Sequence, residues 1–385
     1  MKIVVAPQSF KGSLSAREVA DAIARGIRRV LADAEVVVLP MADGGEGTVD
    51  ALVYATGGRT MQTEVTGPLG DRVLAAWGIL GDGVTAVVEM AAASGLVLVP
   101  PDRLDPLTAT TYGTGELVRA ALDSGCRRLI IGIGGSATND GGAGMAQALG
   151  AKLTDREGRE LPPGGAALAS LRKIDVSGLD SRLAGCQVTV ACDVTNPLCG
   201  NEGASWVYGP QKGATEEMCR QLDEALANYA SVIKKDLGID IRDMPGAGAA
   251  GGLGAGLVAF PGARLVPGIE IVSDAVGLVE HLKGAALALT GEGRLDTQTT
   301  FGKTVAGVAK QAKVLGVPVV VIAGELHGDL KELYQHGIDA ALSIAPGPIS
   351  LEESEADAAR LTSDAAERAL RLILINPERQ SRHVD

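Results

Sequence analysis

Arg128-Leu129-Ile130-Ile131-Gly132-Ile133-Gly134-Gly135-Ser136-Ala137-Thr138-Asn139-Asp140-Gly141-Gly142 is the stretch that decides the fold. Its opening residues form a short apolar, β-branched run that ends in glycine, which reads as a buried strand over Arg128–Ile133. A glycine-rich loop with one acid follows, then a helix to about residue 149. The same order recurs along the chain. Lys2–Ala6 runs into Pro7-Gln8-Ser9-Phe10-Lys11-Gly12-Ser13, and Glu35–Leu39 into Met41-Ala42-Asp43-Gly44-Gly45-Glu46-Gly47. Gln187–Cys192 runs into Asp193-Val194-Thr195-Asn196-Pro197, and Ala285–Leu289 into Thr290-Gly291-Glu292-Gly293-Arg294. Strand, glycine loop, helix, repeated, is the grammar of an α/β protein with a parallel sheet.

The helices between these strands carry their own signals. Ser15 and Glu18 are spaced as a capping box, and Val19, Ala20, Ile23, Ile27, Val30 and Leu31 follow at helical spacing. Helices are expected over 16–31, 46–56, 113–124, 215–235, 303–315 and 329–336, with a last one ending near 375. From 61 to 99 the pattern changes to short strands between Gly and Pro turns, Val84–Met90 being the clearest. The α/β rhythm returns near 285. The polar residues 376–385 read as a frayed terminus.

A chain of 385 residues is long enough for two or three domains. It is 46% hydrophobic and 21% charged, which excludes a disordered protein. The net charge of −12 argues against a nucleic-acid partner, since phosphate contacts need clustered Lys and Arg. Glycine stands at 52 residues, roughly twice the average usage of ~7%. The five cysteines include no Cys-x-x-Cys and read as reduced thiols of a cytoplasmic protein. Cys192 reads as a core thiol. The first apolar run is too short for a signal peptide. Met244 to Ala263 holds no charge but seven glycines and two prolines, so a membrane span is not expected. Within it, Gly248–Gly254 is either close packing or a backbone cradle.

The acid-bearing glycine loops are where chemistry is expected. In a parallel sheet such loops gather beyond the carboxyl ends of the strands. Glycines let backbone amides approach phosphate, and carboxylates hold Mg²⁺ through one or two oxygens. Asp43, Glu46, Asp140, Asp193, Glu292 and Asp296 are the candidate set. Lys11, beside Ser9 and Ser13, and Lys212 in Gly209-Pro210-Gln211-Lys212-Gly213 are candidate anion contacts. Gly302-Lys303-Thr304 ends like a phosphate-binding P-loop, but Thr297 stands where the first glycine belongs. Lys303 is either a phosphate contact or a solvated lysine. Gly132-Ile133-Gly134-Gly135-Ser136-Ala137 satisfies a dinucleotide fingerprint, with Asp155 at about the right distance. That supports a second reading, a nicotinamide-dependent oxidoreductase of a small hydroxy acid. Against it, residues 138–142 add a loop before the helix. Of the four histidines, only His327 lies near a glycine loop.

Taken together, six motifs resemble the type-1 glycerate kinase family. They are Ser9-Phe10-Lys11-Gly12-Ser13-Leu14, Ala42-Asp43-Gly44-Gly45-Glu46-Gly47-Thr48, Gly134–Gly142, Asn196-Pro197-Leu198, Gly209-Pro210-Gln211-Lys212-Gly213-Ala214, and Thr290-Gly291-Glu292-Gly293-Arg294-Leu295-Asp296. They stand in the family's order over about residues 1–375. The resemblance implies ATP- and Mg²⁺-dependent phosphorylation of D-glycerate, with 2-phosphoglycerate the favoured product and 3-phosphoglycerate left open. It implies a Rossmann-like parallel-sheet domain built from both chain ends, 1–75 and 286–385. An inserted mixed α/β domain, 76–285, completes it, with the active site in the cleft between the two. On this basis Asp193 is the expected base, with Lys11 and Asp43 beside it in catalysis. Ser9, Lys11, Asp43, Glu46 and Arg294 are expected on substrate. Gly134, Gly135, Ser136, Thr138, Asn139, Asp140, Gly141 and Lys212 are expected on nucleotide, and Glu292 and Asp296 on Mg²⁺. Phosphoryl transfer asks mainly for positioning and charge neutralisation, which suits a histidine-poor enzyme. No membrane partner is expected, and a homo-oligomer stays open.

Overall fold

A computed structural model describes residues 1–296 and 304–375. In chain order its strands are β1 (Lys2–Val5), β2 (Glu35–Val38), β3 (Arg59–Thr66), β4 (Arg72–Ile79), β5 (Thr85–Glu89), β6 (Arg128–Gly132) and β7 (Lys152–Thr154). Then come β8 (Lys173–Asp175), β9 (Gln187–Ala191), β10 (Arg264–Val266), β11 (Leu287–Leu295), β12 (Val319–Leu326) and β13 (Ala340–Ser343). The chain divides into two compact units, Met1–Ala42 with Val272–Asp385, and Asp43–Ile271.

The first unit holds a five-stranded sheet in the order β13-β12-β11-β1-β2, parallel throughout. Ile3, Val5, Leu289 and Ile322 of the strands pack with Val19, Ile23 and Ile27 of helix Ala16–Val30 and with Leu361, Ala365 and Leu370 of helix Ala358–Ile373. The expected capping box is formed: the Ser15 amide donates to Glu18 Oε2 at 2.8 Å, and the Glu18 amide to Ser15 Oγ at 3.3 Å. One local expectation fails here. Thr290-Gly291-Glu292-Gly293-Arg294 is not a loop but the second half of β11, which runs to Leu295. Glycine favours turns, but pairing with β12 from Ala288↔Val319 to Leu295↔Leu326 overrides that preference.

The second unit is built on a six-stranded sheet, β10-β9-β6-β5-β4-β3. β5, β6, β9 and β10 run parallel, and β3 and β4 are antiparallel additions at one edge. Trp77, Ile79, Val88, Leu117, Leu129, Ile131 and Val190 meet in its core. A second cluster gathers around helix Glu216–Leu237, with Leu226, Tyr229 and Ile233 fully buried. The contacts divide the chain elsewhere than the expected boundaries. Residue 75 lies inside β4, and the β3–β4 hairpin is hydrogen-bonded to β5, which draws residues 59–79 into the second unit. Helix Leu278–Leu282 packs on helix Thr304–Val314, which draws it into the first.

No helix among the described residues is long and apolar enough to cross a membrane. The uncharged Met244–Ala263 stretch contributes only the short helix Leu253–Ala259. It is a packing segment. The Gly141 amide donates to the Gly251 carbonyl at 3.0 Å, and a side chain at Gly251 would overlap the Thr138 carbonyl. Lys303 and residues 376–385 lie outside the described residues.

Candidate functional site

Three parallel strands of the second unit end level with one another. Register pairs Glu89 of β5 with Gly132 of β6, and Gly132 with Ala191 of β9. The turn Asp43–Gly47 lies across this row. A Cβ on Gly44 would overlap the Ala191 side chain, and one on Gly132 would overlap the Gly44 carbonyl. Gly44 also has φ +88°, a left-handed conformation open to glycine at little cost. After β10 the chain closes the other side: a Cβ on Gly268 would overlap the Asp43 carbonyl. The sequence's small residues here are therefore contact points that bring one turn onto the ends of β6 and β9 and the segment after β10.

Two carboxylates result. Asp193, the second residue after β9, is exposed, and its Oδ1 accepts from the Gly268 amide at 2.9 Å. Asp43 is half-buried and accepts from the Gly45 amide at 3.2 Å. Desolvation pushes the Asp193 carboxyl up from its ordinary value, the Gly268 amide opposes this, and the charge of Asp43 adds to the rise. A carboxylate with raised basicity at a strand end is suited to accept a hydroxyl proton. Glu46, in the same turn, is exposed.

The loop after β6 has an outer and an inner part. Gly134 and Gly135 are exposed, whereas Ser136, Thr138, Asn139, Asp140 and Gly141 are buried. Asp140 accepts from the Thr111 amide at 2.8 Å, the Thr111 hydroxyl at 2.9 Å, and the Gly142 and Gly144 amides at 3.1 and 3.2 Å. Burial pushes its carboxyl up and these donors oppose the rise. Asn139 donates to Ser205 Oγ at 2.9 Å. The Asp140 carboxylate and Asn139 amide thus hold the loop from behind. Lys212 is 1% exposed and donates to Ser136 Oγ at 2.8 Å and to the Thr138 carbonyl at 2.6 Å. Desolvation lowers its pKa to about 7, and the charge of Asp140 opposes the fall. Helix Ala143–Ala148 begins only after Gly142. A dinucleotide site needs its helix to begin within the fingerprint, so the oxidoreductase reading loses its geometric support.

In the first unit the loop after β1 adjoins the end of β11. The Gln8 amide donates to the Gly291 carbonyl at 2.7 Å, and a Cβ on Gly293 would lie 3.4 Å from the Lys11 amide nitrogen. Ser9 is half-buried and Lys11 exposed. Glu292 is buried, at 7% exposure. Arg294 is exposed, with Nε 3.6 Å from Asp296 Oδ2 and 3.9 Å from Glu325 Oε2. His327 pairs with Glu325 at 3.3 Å on the surface. Glu292 lies within β11 and Asp296 directly after it, and a carboxylate of either kind can offer Mg²⁺ an oxygen alongside phosphate and water. No cluster of three or more His, Cys, Asp or Glu suited to a metal occurs among the described residues.

The sequence pattern missed Glu89 and Gly268. Glu89 reads as the end of an apolar strand, and its one signal is an acid placed directly after Val87-Val88. Cys192 is half-buried against the core of the second unit and donates to the Val194 carbonyl at 3.3 Å.

Glycine-rich strand ends, carboxylates at the ends of parallel strands and a buried lysine behind an exposed glycine pair define the class: an enzyme of small-molecule phosphoryl transfer. The chain belongs to the glycerate kinase family, which it matches over residues 3–374. It is 57% identical over 354 residues to the glycerate 2-kinase of Escherichia coli K12, covering 92% of this chain and 93% of that one. It is 58% identical over 354 residues to the glycerate kinase of Bacillus subtilis 168, with the same coverage. The solved structure described as a glycerate kinase 2 from Salmonella typhimurium LT2 superposes with a TM-score of 0.90 at 54% identity, over 97% of this chain and 98% of that one. The reaction of this family is the phosphorylation of glycerate.

Proposed function

We propose that this chain transfers the γ-phosphoryl group of Mg-ATP to the 2-hydroxyl of D-glycerate in the cytoplasm. The observation that carries the reading is Asp193, a carboxylate of raised basicity held by the Gly268 amide beside Asp43. Asp193 accepts the hydroxyl proton as the oxygen attacks phosphorus. Asp43 and Glu46 orient the glycerate hydroxyls. Ser9, Lys11 and Arg294 bind its carboxylate or balance phosphate charge. The Gly134 and Gly135 amides and the Ser136 edge take nucleotide phosphates, with Lys212 as the positive charge behind them and Thr138, Asn139, Asp140 and Gly141 as the support. Bound Mg²⁺, held by Glu292 or Asp296, supplies neutralisation of the phosphate oxygens. The choice of the 2-hydroxyl is supported by the 57% identity to a protein named glycerate 2-kinase. The five free cysteines suit a reducing compartment.

The test is ADP release from purified protein with Mg-ATP and D-glycerate, with ³¹P NMR of the product in the same tube. Glycerate-dependent ADP with a phosphorus coupled to a single methine proton supports the reading. Coupling to two methylene protons moves the reaction to the 3-hydroxyl. ADP no higher than in the ATP-only control rejects it.

A further inference from the structure

Glu89 ends β5 in the row of strand ends beneath the Asp43–Gly47 turn. It is a carboxylate placed where the sheet would ordinarily pass into an apolar layer, and burial pushes its carboxyl up. Its Oε1 accepts from the Val49 amide at 2.7 Å, and the nearby Gly47 and Thr48 amides help oppose the rise, the Thr48 amide itself donating to the Gly45 carbonyl at 3.3 Å. Val49 is the second residue of helix Thr48–Thr56, whose N-cap Gly47 has no side chain to satisfy its amide. The helix start is thus filled by the protein's own anion, delivered from a strand forty residues further on. The turn hung from that helix is pinned at its other end, where Gly44 meets Ala191 and Gly132 and where Gly268 meets the Asp43 carbonyl.

We propose that Glu89 is the positioning residue for Asp43: by holding the Val49 amide at the start of the helix it fixes the turn that sets Asp43 beside Asp193. The inference rests on the reading above that these two aspartates serve the reaction. Glu89 touches no substrate in this account. Without its charge the start of the helix keeps its place in the fold, but the turn gains freedom, and a small displacement of a reacting group is costly. A loss of order 10–100-fold in kcat is expected, with KM for ATP little changed.

The experiment is a double-mutant cycle of Glu89→Gln and Asp43→Asn, with kcat and both KM values measured and folding checked by thermal melting. Glu89→Gln is nearly isosteric, and Glu89→Asp serves as the second probe. The expected result is a large fall in kcat for Glu89→Gln, partial rescue in Glu89→Asp, and no further fall when Glu89→Gln is added to Asp43→Asn. Wild-type kcat in a folded Glu89→Gln protein overturns the proposal. So does an equal fall in both backgrounds, which marks a general structural role. Wild-type kcat in Asp43→Asn alone sinks the underlying site reading instead, so the two failures are told apart. Should Glu89→Gln melt below the assay temperature, the same cycle with Glu89→Asp decides: additivity overturns the proposal and non-additivity upholds it.

Discussion

Lys212, closed off from solvent, hydrogen-bonds Ser136 Oγ at 2.8 Å from directly behind the exposed Gly134–Gly135 pair. Its acceptors are neutral, and the carboxylate whose charge reaches it, Asp140, is engaged by Thr111, Gly142 and Gly144. A buried ammonium with neutral acceptors is costly, which is why its pKa falls to about 7. An anion bound at the outer glycines lowers that cost.

Nucleotide binding is therefore expected to take up protons. A phosphate near Lys212 raises its pKa above 7, so near pH 8 the bound enzyme holds a proton that the free enzyme lacks. Calorimetry of Mg-ATP binding in two buffers of different ionisation heat measures this uptake, and Lys212→Met abolishes it. Equal heats in both buffers for the wild type place the phosphates elsewhere. The same shift acts on stability. The folded pKa lies below the unfolded value, so between pH ~7 and ~10 the unfolded chain binds more protons, and stability attributable to Lys212 rises with pH. The denaturant midpoint of the wild type, compared with Lys212→Met at pH 7 and pH 9, shows the rise in the wild type only.

Asp193→Asn is expected to lower kcat by ~10²–10⁴-fold and leave KM for glycerate within a few-fold, the pattern of a group used in the transition state. As a base, Asp193 works when deprotonated. Its raised pKa puts the acid limb of the kcat profile above the ordinary aspartate value of about 3.9. Asp43→Asn removes the neighbouring charge that contributes to the rise, so the limb of its residual activity moves to lower pH. A limb that stays in place, or unchanged kcat in folded Asp193→Asn, rejects Asp193 as the base.

Much of this was legible in the sequence. The strand–loop–helix repeats predict the α/β class, and the capping box at Ser15–Glu18 predicts the start of the first helix almost to the residue. Asp43 and Asp193 are visible as acids after strands. Harder to see is anything fixed by pairing rather than local preference. Gly291 and Gly293 read as loop because glycine disfavours strands, while β12 alongside decides otherwise. For Thr138, Asn139 and Asp140 the sequence shows polarity but not their burial. Glu89 is invisible for the converse reason: its hydrogen-bond partner, the Val49 amide, is backbone, and backbone leaves no mark in composition.

Gly268→Ala tests whether the Asp43 turn is as tightly held as the contacts imply. The added methyl has nowhere to go, because the obstacle is the Asp43 main chain rather than a flexible side chain. The turn must shift, and the Gly268 amide that binds Asp193 shifts with it. The expected outcome is a kcat loss of ~10²-fold, in line with small misplacements of reacting groups, with ATP affinity by equilibrium titration retained. Full activity shows the turn to be pliable.

Gly26→Ala sets two effects of known size against each other within the first unit. Glycine in the middle of helix Ala16–Val30 is unfavourable by ~1 kcal/mol relative to alanine, so the helix alone gains from the change. But Gly26 faces helix Ala358–Ile373, and a Cβ there would overlap the Ser363 carbonyl and crowd Ala366. Overpacking against main chain costs ~1–3 kcal/mol, and here both helices are anchored by Ile23, Ile27, Leu361 and Leu370 in the same core. The obstacle is main chain, so the packing cost lies toward the upper end of that range and outweighs the propensity gain, and a net loss of up to ~2 kcal/mol is expected. Denaturant unfolding monitored on the purified chain reads this as a lower midpoint. A higher midpoint means the two helices move apart at little cost, and the close approach at Gly26 is then incidental to the stability of the unit.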